Sequence, residues 1–232
     1  MSQPPVSTVP EQLREPAERL FGDRLALVER FTGMLAQEGP ERGLIGPREV
    51  ERLWERHVIN CALLVDAIDE VAAAGRPVGT LADVGSGAGL PGVVIAIARP
   101  QLQVTLIETM QRRTTWLEEV DQQLDLGLEV VRARAEELHG VREFDLVTAR
   151  AVAALDKLAR WTLPLVREGG TLLAMKGGSA AEEISRAQKV LKKLGGTDPA
   201  IARYGVDEVE VPTTVVHVLR TPQATRKGGR RG

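Results

Sequence analysis

Two hydrophobic periods divide the chain. Between residues 11 and 74, apolar positions recur at the i, i+3, i+4 spacing that lines one face of a helix. The pattern predicts helices over 11–21, 24–37 and 47–74. The second carries Leu27, Val28, Phe31, Met34 and Leu35 on one face. The third carries Val50, Leu53, Trp54, His57, Cys61, Leu64, Val65 and Ile68 as a buried stripe. Gly22-Asp23 breaks the first from the second, and Pro47 opens the third. From Thr80 onward, short apolar runs alternate with helical ones. Strands are expected at 80–84, 103–107, 129–132, 144–149 and 171–175, and helices at 90–99, 111–126, 155–166 and 180–194. Two closing strands, 201–209 and 214–220, are near enough in sequence to pair antiparallel. Such alternation implies an α/β fold, a mostly parallel seven-stranded sheet of Rossmann-like type with helices on both faces. The chain then divides into a Pro/Ser/Thr-rich, disordered start (1–10), an N-terminal helical extension (11–76), the Rossmann-like domain (77–220) and a basic, glycine-rich, disordered tail (221–232).

Composition narrows the class. An apolar content of 43% in 232 residues can fill such a core, and no apolar run reaches the length of a membrane span. The first ten residues lack the charged and apolar regions of a signal peptide. A single cysteine, Cys61, excludes a disulfide framework and a cysteine metal cluster, which points to a reducing cytoplasm. Net charge is −2, with Arg226, Lys227, Arg230 and Arg231 clustered at the end, so any contact with nucleic acid must rest on local basic patches. Arg48, Arg52 and Arg56 recur every fourth residue. They form either a solvated face partnered by Glu51 and Glu55 or a stripe facing phosphates. His57, His139 and His217 have no metal-ligand spacing, and the place of His57 on an apolar stripe reads as core. Trp54, Trp116 and Trp161 sit in helical, apolar contexts that suit packing.

The densest chemistry is at Leu81-Ala82-Asp83-Val84-Gly85-Ser86-Gly87-Ala88-Gly89-Leu90-Pro91-Gly92. A buried strand runs into a glycine turn that lets a ligand approach the backbone, and a helix begins behind it with free N–H groups. Gly87 to Gly92 matches the G-x-G-x-x-G of dinucleotide binders. Shifted back, Asp83-Val84-Gly85-Ser86-Gly87-Ala88-Gly89 resembles the loop of Rossmann-like S-adenosylmethionine-dependent methyltransferases. Glu108 ends the next strand and could hold ribose hydroxyls in either case. Arg134, Arg150 and Lys176 follow three further strands, a cationic rim suited to an anionic substrate. A nicotinamide oxidoreductase, a methyltransferase and a non-catalytic RNA-binding module all fit the glycine loop alone.

The wider set of motifs is more specific. Leu53-Trp54-Glu55-Arg56-His57, the Asp83–Gly92 loop, Arg134-Ala135-Glu136-Glu137, Arg150-Ala151-Val152-Ala153 and Met175-Lys176-Gly177 together resemble the bacterial 16S rRNA guanine-N7 methyltransferases of the RsmG/GidB family, over roughly residues 43–219. The resemblance implies a class I methyltransferase fold and S-adenosyl-L-methionine as cofactor. It also implies transfer of a methyl group to N7 of a specific guanine in small-subunit rRNA, by a cytoplasmic monomer whose partner is 16S rRNA or the small ribosomal subunit. Cofactor contacts would come from Asp83, Gly85, Gly87, Leu90, Glu108, Ala135, Glu136 and Arg150. Arg134, Arg150 and Lys176 would position the substrate. The chain departs from the family pattern at Gly43-Leu44-Ile45-Gly46 and at Asn60-Cys61, both in the region expected to face RNA.

The chemistry agrees with that target on its own terms. After the fourth predicted strand the chain reads Thr148-Ala149-Arg150-Ala151, not the Asn/Asp-Pro-Pro-aromatic motif of exocyclic amine methylation. Cys61 lies on a buried stripe, where it cannot serve as the nucleophile a pyrimidine C5 enzyme needs. Guanine N7 offers a lone pair and has no proton to remove, so its methylation asks chiefly for alignment. With few aromatics in the chain, Arg planes are the expected stacking partners for a splayed base.

Overall fold

The computed structural model describes residues 7–222. Seven strands form one sheet: β1 (Thr80–Val84), β2 (Gln103–Glu108), β3 (Glu129–Arg132), β4 (Phe144–Arg150), β5 (Val166–Lys176), β6 (Gly196–Tyr204) and β7 (Thr213–Arg220). Their order is β3-β2-β1-β4-β5-β7-β6. The first five are parallel, and β7 runs antiparallel to both of its neighbours. The order reverses between β1 and β4, and a crevice opens beyond the carboxyl ends of strands at such a switch.

Period-two alternation sends successive side chains to opposite faces. On one face Leu81, Leu106, Leu146 and Val215 join a core built by helices α1 (Arg14–Phe21), α2 (Leu25–Glu38), α3 (Asn60–Ala62), α4 (Leu64–Ala73), α5 (Gly92–Ala98) and α6 (Gln111–Leu124). On the other, Ala82, Ile107, Val147 and Val216 pack against α7 (Leu155–Thr162) and α8 (Ala180–Lys193). The N-terminal helices thus share a core with the sheet: Phe31, Met34 and Leu64 are wholly buried in the same cluster as Leu81 and Leu106.

Three expectations are corrected. Residues 7–10 are ordered, because Val9 is buried and its N–H donates to Glu29 Oε1 at 3.0 Å; residues 1–6, and the tail from 223, lie outside the described residues. The predicted helix 47–74 is four pieces: a 3₁₀ turn Pro47–Arg52, a π-helical turn Trp54–Ile59, then α3 and α4. A π turn carries more residues per revolution than an α turn, so it shifts the side-chain stripe. Here Leu53, Trp54, Val58 and Ile59 are buried, and His57 leaves the apolar stripe. The sixth strand begins and ends earlier than expected. Gly205 at φ +76° closes it, and an irregularity between Thr197 and Ala200 accommodates Pro199 on a sheet edge, where a missing N–H costs least.

Candidate active site

A cavity of about 650 Å³ lies at the switch between β1 and β4. Its floor is the turn after β1, which the sequence builds with positive-φ glycines. Gly85 has φ +75°, and a Cβ there would lie 3.0 Å from Val152 Cγ2. Gly87 has φ +56°, and a Cβ there would meet only ordinary contacts, the nearest Gly85 O at 3.7 Å. The turn is tied down from behind: Gly85 N–H donates to Ile107 O at 2.8 Å, and Trp116 Nε1 to Ala88 O at 3.1 Å.

Asp83 does not face the cavity. It is fully buried beneath the loop, where Oδ2 accepts the Gly92 N–H at 2.9 Å and Ser86 Oγ donates to its backbone carbonyl at 2.8 Å. Its expected cofactor contact is therefore corrected to a scaffold role, joining the end of β1 to the start of α5. Burial pushes its pKa up to about 7, against the downward pull of the Gly92 N–H. Its Oδ1 has no partner among the described residues.

Glu108 closes β2 on the opposite side of the loop and lines the cavity. Only 4% exposed, it accepts N–H groups from Gly87 at 3.0 Å, Thr109 at 2.7 Å and Met110 at 3.0 Å. Burial by itself raises its pKa, but these backbone donors and the Arg113 guanidinium outweigh it and hold the carboxyl below its ordinary range. A carboxylate fixed in that way can receive vicinal hydroxyls. Leu90, Ala135 and Glu136 line the cavity; the last two open the 3₁₀ turn Ala135–Leu138 after β3.

The cationic rim is divided. Arg134 and Arg150 line this cavity, whereas Lys176 lies in a second depression of about 990 Å³. There its ammonium donates to Ala153 O at 2.6 Å and pairs with Glu183 at 2.9 Å, both side chains largely buried. The single crevice rim expected of the three cations is corrected on that ground. Arg150, Ala151 and Val152 line both hollows and form the wall between them. Ala151 sits at φ +55°, a conformation costly for a residue with a Cβ and often kept where a site requires it.

The sequence reading missed much of the roof. Leu44, Ile45, Gly46, Glu49 and His57 line the cavity from the N-terminal segment, and Trp161 from α7. Within the stretch Gly43–Gly46 expected to face RNA, Leu44, Ile45 and Gly46 also help enclose the hollow. Cys61 is fully buried and accepts from Arg150 at 2.8 Å, while Asn60 bonds Thr213 at 2.7 Å. The departure of Pro47–Ile59 from α geometry hid these contacts, since a regular helical stripe puts His57 in the core.

A sheet of this order, with a positive-φ glycine turn after its first strand and a buried acid closing its second, defines a class I S-adenosylmethionine-dependent methyltransferase. Solved structures share the fold. The ribosomal protein L11 methylase of Lactobacillus delbrueckii subsp. bulgaricus superposes with a TM-score of 0.51 at 18% identity over 70% of this chain and 79% of its own. A candidate S-adenosyl-L-methionine-dependent methyltransferase of Methanococcus maripaludis reaches 0.56 at 16% identity, over 84% and 95%. Residues 24–208 match the family described as rRNA small subunit methyltransferase G, GidB. The proteins of that name from Salinispora arenicola and Renibacterium salmoninarum are 48% and 52% identical to this chain, covering 100% and 90% of it and 100% and 95% of their own lengths. The chain belongs to the rRNA small subunit methyltransferase G family.

Proposed function

We propose that the protein transfers the methyl group of S-adenosyl-L-methionine to N7 of a specific guanine in 16S rRNA. Family membership over the whole chain supports the substrate class, and the cavity at the β1/β4 switch supports the cofactor. The observation that carries the reading is the pairing of the Gly85–Gly87 turn with Glu108. At Gly85 and Gly87 no side chain stands between backbone and ligand, and the buried carboxylate stands at the end of β2, where ribose hydroxyls are held in such sheets. A hollow of about 650 Å³ also falls in the size range of small-molecule sites.

When bound, S-adenosylmethionine supplies an electrophilic methyl group on a sulfonium. Glu108 and the glycine turn hold and orient it; Leu90, Ala135 and Glu136 bound its pocket. Arg150, Ala151 and Val152 line both hollows, so the two adjoin there, and an acceptor base held in the larger depression would reach the methyl group over that shared edge. N7 carries no proton, so alignment suffices. His57, the one imidazole on the cavity among the described residues, has its Nδ1 lone pair engaged by Arg150 at 2.6 Å and is not poised as a general base. Arg134 and Arg150 would position the base and its phosphates; Lys176 would shape the depression through Glu183 and Ala153.

The partner is small-subunit rRNA or the small ribosomal subunit, met by a monomer in the cytoplasm, where ribosomes assemble. No described helix is long and apolar enough to cross a membrane. The test is methyl incorporation from labelled S-adenosylmethionine into small-subunit rRNA from cells lacking the protein. Label entering the RNA supports the reading. A folded protein that binds the cofactor and RNA yet transfers nothing would leave a binding module in its place, and calorimetric binding of NAD(P) in preference to S-adenosylmethionine would leave an oxidoreductase.

A further inference from the structure

Three side chains join the N-terminal segment to the wall of the active site. Arg150, at the end of β4, donates through NH1 to Cys61 Sγ at 2.8 Å and through NH2 to Arg56 O at 3.2 Å and His57 Nδ1 at 2.6 Å. On its other edge the His57 ring meets Glu49 Oε2 through Nε2 at 2.8 Å. A guanidinium donates and never accepts, so Nδ1 must present its lone pair. Nε2 then carries the proton and donates it to Glu49. The chain of contacts has one consistent protonation state: Arg150 charged, His57 neutral as the Nε2–H tautomer, Glu49 ionised.

We infer that His57, steadied by Glu49, is a positioning residue for the methyl transfer, fixing the Arg150 guanidinium on the wall between the cofactor hollow and the acceptor depression. The inference rests on the rRNA methyltransferase reading for what the wall does, but the geometry of the chain is independent of it. Arg150 lines both hollows, and among the described residues its fork is otherwise held only by a thiol and one backbone carbonyl. Loss of the imidazole acceptor frees the guanidinium to swing. A protonated imidazole does more, since it replaces an acceptor with an N–H and sets two cations against each other.

The groups facing the ring favour the neutral form. Burial and the Arg150 charge lower the His57 pKa, Glu49 pulls the other way, and Arg56 adds to the lowering. Cys61 accepts from Arg150 and Asp83 acts on it through space; burial raises both, and Asp83, raised to about 7, offsets the Arg150 charge only as pH climbs through that value. Glu49 is held below its usual range by the His57 hydrogen bond, with Arg56 and Arg52 nearby. The acid limb that His57 sets on methyl transfer should therefore lie below the ordinary imidazole range, apart from the titration of Asp83 near 7.

Two experiments test this, one of them without a variant. Two-bond ¹H–¹⁵N correlation spectra of the protein's histidines should show His57 as the neutral Nε2–H tautomer at pH 7, titrating below the ordinary imidazole range. Separately, steady-state methylation of small-subunit rRNA is followed from pH 5 to 8. His57→Asn keeps an oxygen near the Nδ1 position and cannot titrate, so the acid limb should vanish while kcat at pH 7.5 stays within a fewfold. His57→Ala should lower kcat about ten- to a hundredfold, with KM for RNA little changed, as expected for loss of a hydrogen bond to a charged group. An Nδ1–H tautomer, an imidazolium persisting at pH 7, or an unchanged acid limb in His57→Asn would overturn the inference. Absence of any methyl transfer by the wild type would instead refute the rRNA reading and leave the spectroscopic result to decide the positioning.

Discussion

Gly85→Ala should damage the protein more than Gly87→Ala, although both glycines stand in one loop at positive φ. The conformational part is common to both: an L-residue in the left-handed region costs about 1–2 kcal/mol. The steric part is not. A Cβ at Gly85 lies 3.0 Å from Val152 Cγ2, while at Gly87 the nearest atoms are Gly85 O at 3.7 Å and an Arg113 nitrogen at 4.0 Å. Forcing a methyl against a packed valine adds about 1–3 kcal/mol. Gly87→Ala should then lower Tm by roughly 2–8 °C and Gly85→Ala by roughly 4–20 °C, at the 2–4 °C per kcal/mol typical of a domain this size. Val152→Ala in the Gly85→Ala background should recover the steric share and leave the conformational one. Val152 also lines the cavity, so Gly85→Ala should weaken S-adenosylmethionine as well, and calorimetry reads that separately from melting. Equal melting shifts for the two glycines, or no coupling between positions 85 and 152, would refute the argued geometry.

Glu108→Ala should weaken S-adenosylmethionine by about 1.5–3 kcal/mol, the worth of hydrogen bonds to a charged acceptor, measured calorimetrically; an unchanged Kd would move the ribose elsewhere. Asp83 carries a raised pKa of about 7 in the fold against 3.8 as its ordinary value, so the folded protein binds the extra proton between those values. Stability from this group is then present at low pH and lost as pH rises from about 4 through about 7. Asp83→Asn should flatten that slope in denaturation profiles, and an identical slope in the variant would show that Asp83 does not titrate there. Arg48, Arg52 and Arg56 are exposed beside the cavity roof, where Arg52 stands 3.6 Å from Glu55. If they face phosphates, their combined replacement by alanine should reduce the salt slope of RNA binding by about 0.7 for each phosphate they neutralise; an unchanged slope would make them a solvated face.

The sequence disclosed the elements that hydrophobic period controls. The bounds of β1 and β3 and the start of α6 follow directly from it, because each is a regular run ended by glycine or a charge. The glycine turn and Glu108 were legible for the same reason, as features at strand ends. What lay hidden depends on departures from regular geometry. His57 reads as core on an ideal helix and reaches the cavity only because the backbone between Pro47 and Ile59 passes from a 3₁₀ to a π turn. Asp83 sits where a ligand contact is expected, yet its carboxylate turns to the Gly92 N–H nine residues later, a tertiary choice that local pattern does not encode. Lys176 follows a strand end like Arg150, but Glu183 on α8 captures it.

The position of the transferred methyl group tests the central claim most directly. Small-subunit rRNA from cells lacking the protein is incubated with S-adenosylmethionine, with and without the purified enzyme, and then reduced and cleaved with aniline, which breaks the chain at N7-methylguanine. The account predicts one new cleavage site, at a guanine, that depends on both protein and cofactor and disappears with Glu108→Ala at limiting S-adenosylmethionine. Label entering the RNA without that cleavage would place the methyl group on another atom and contradict the account.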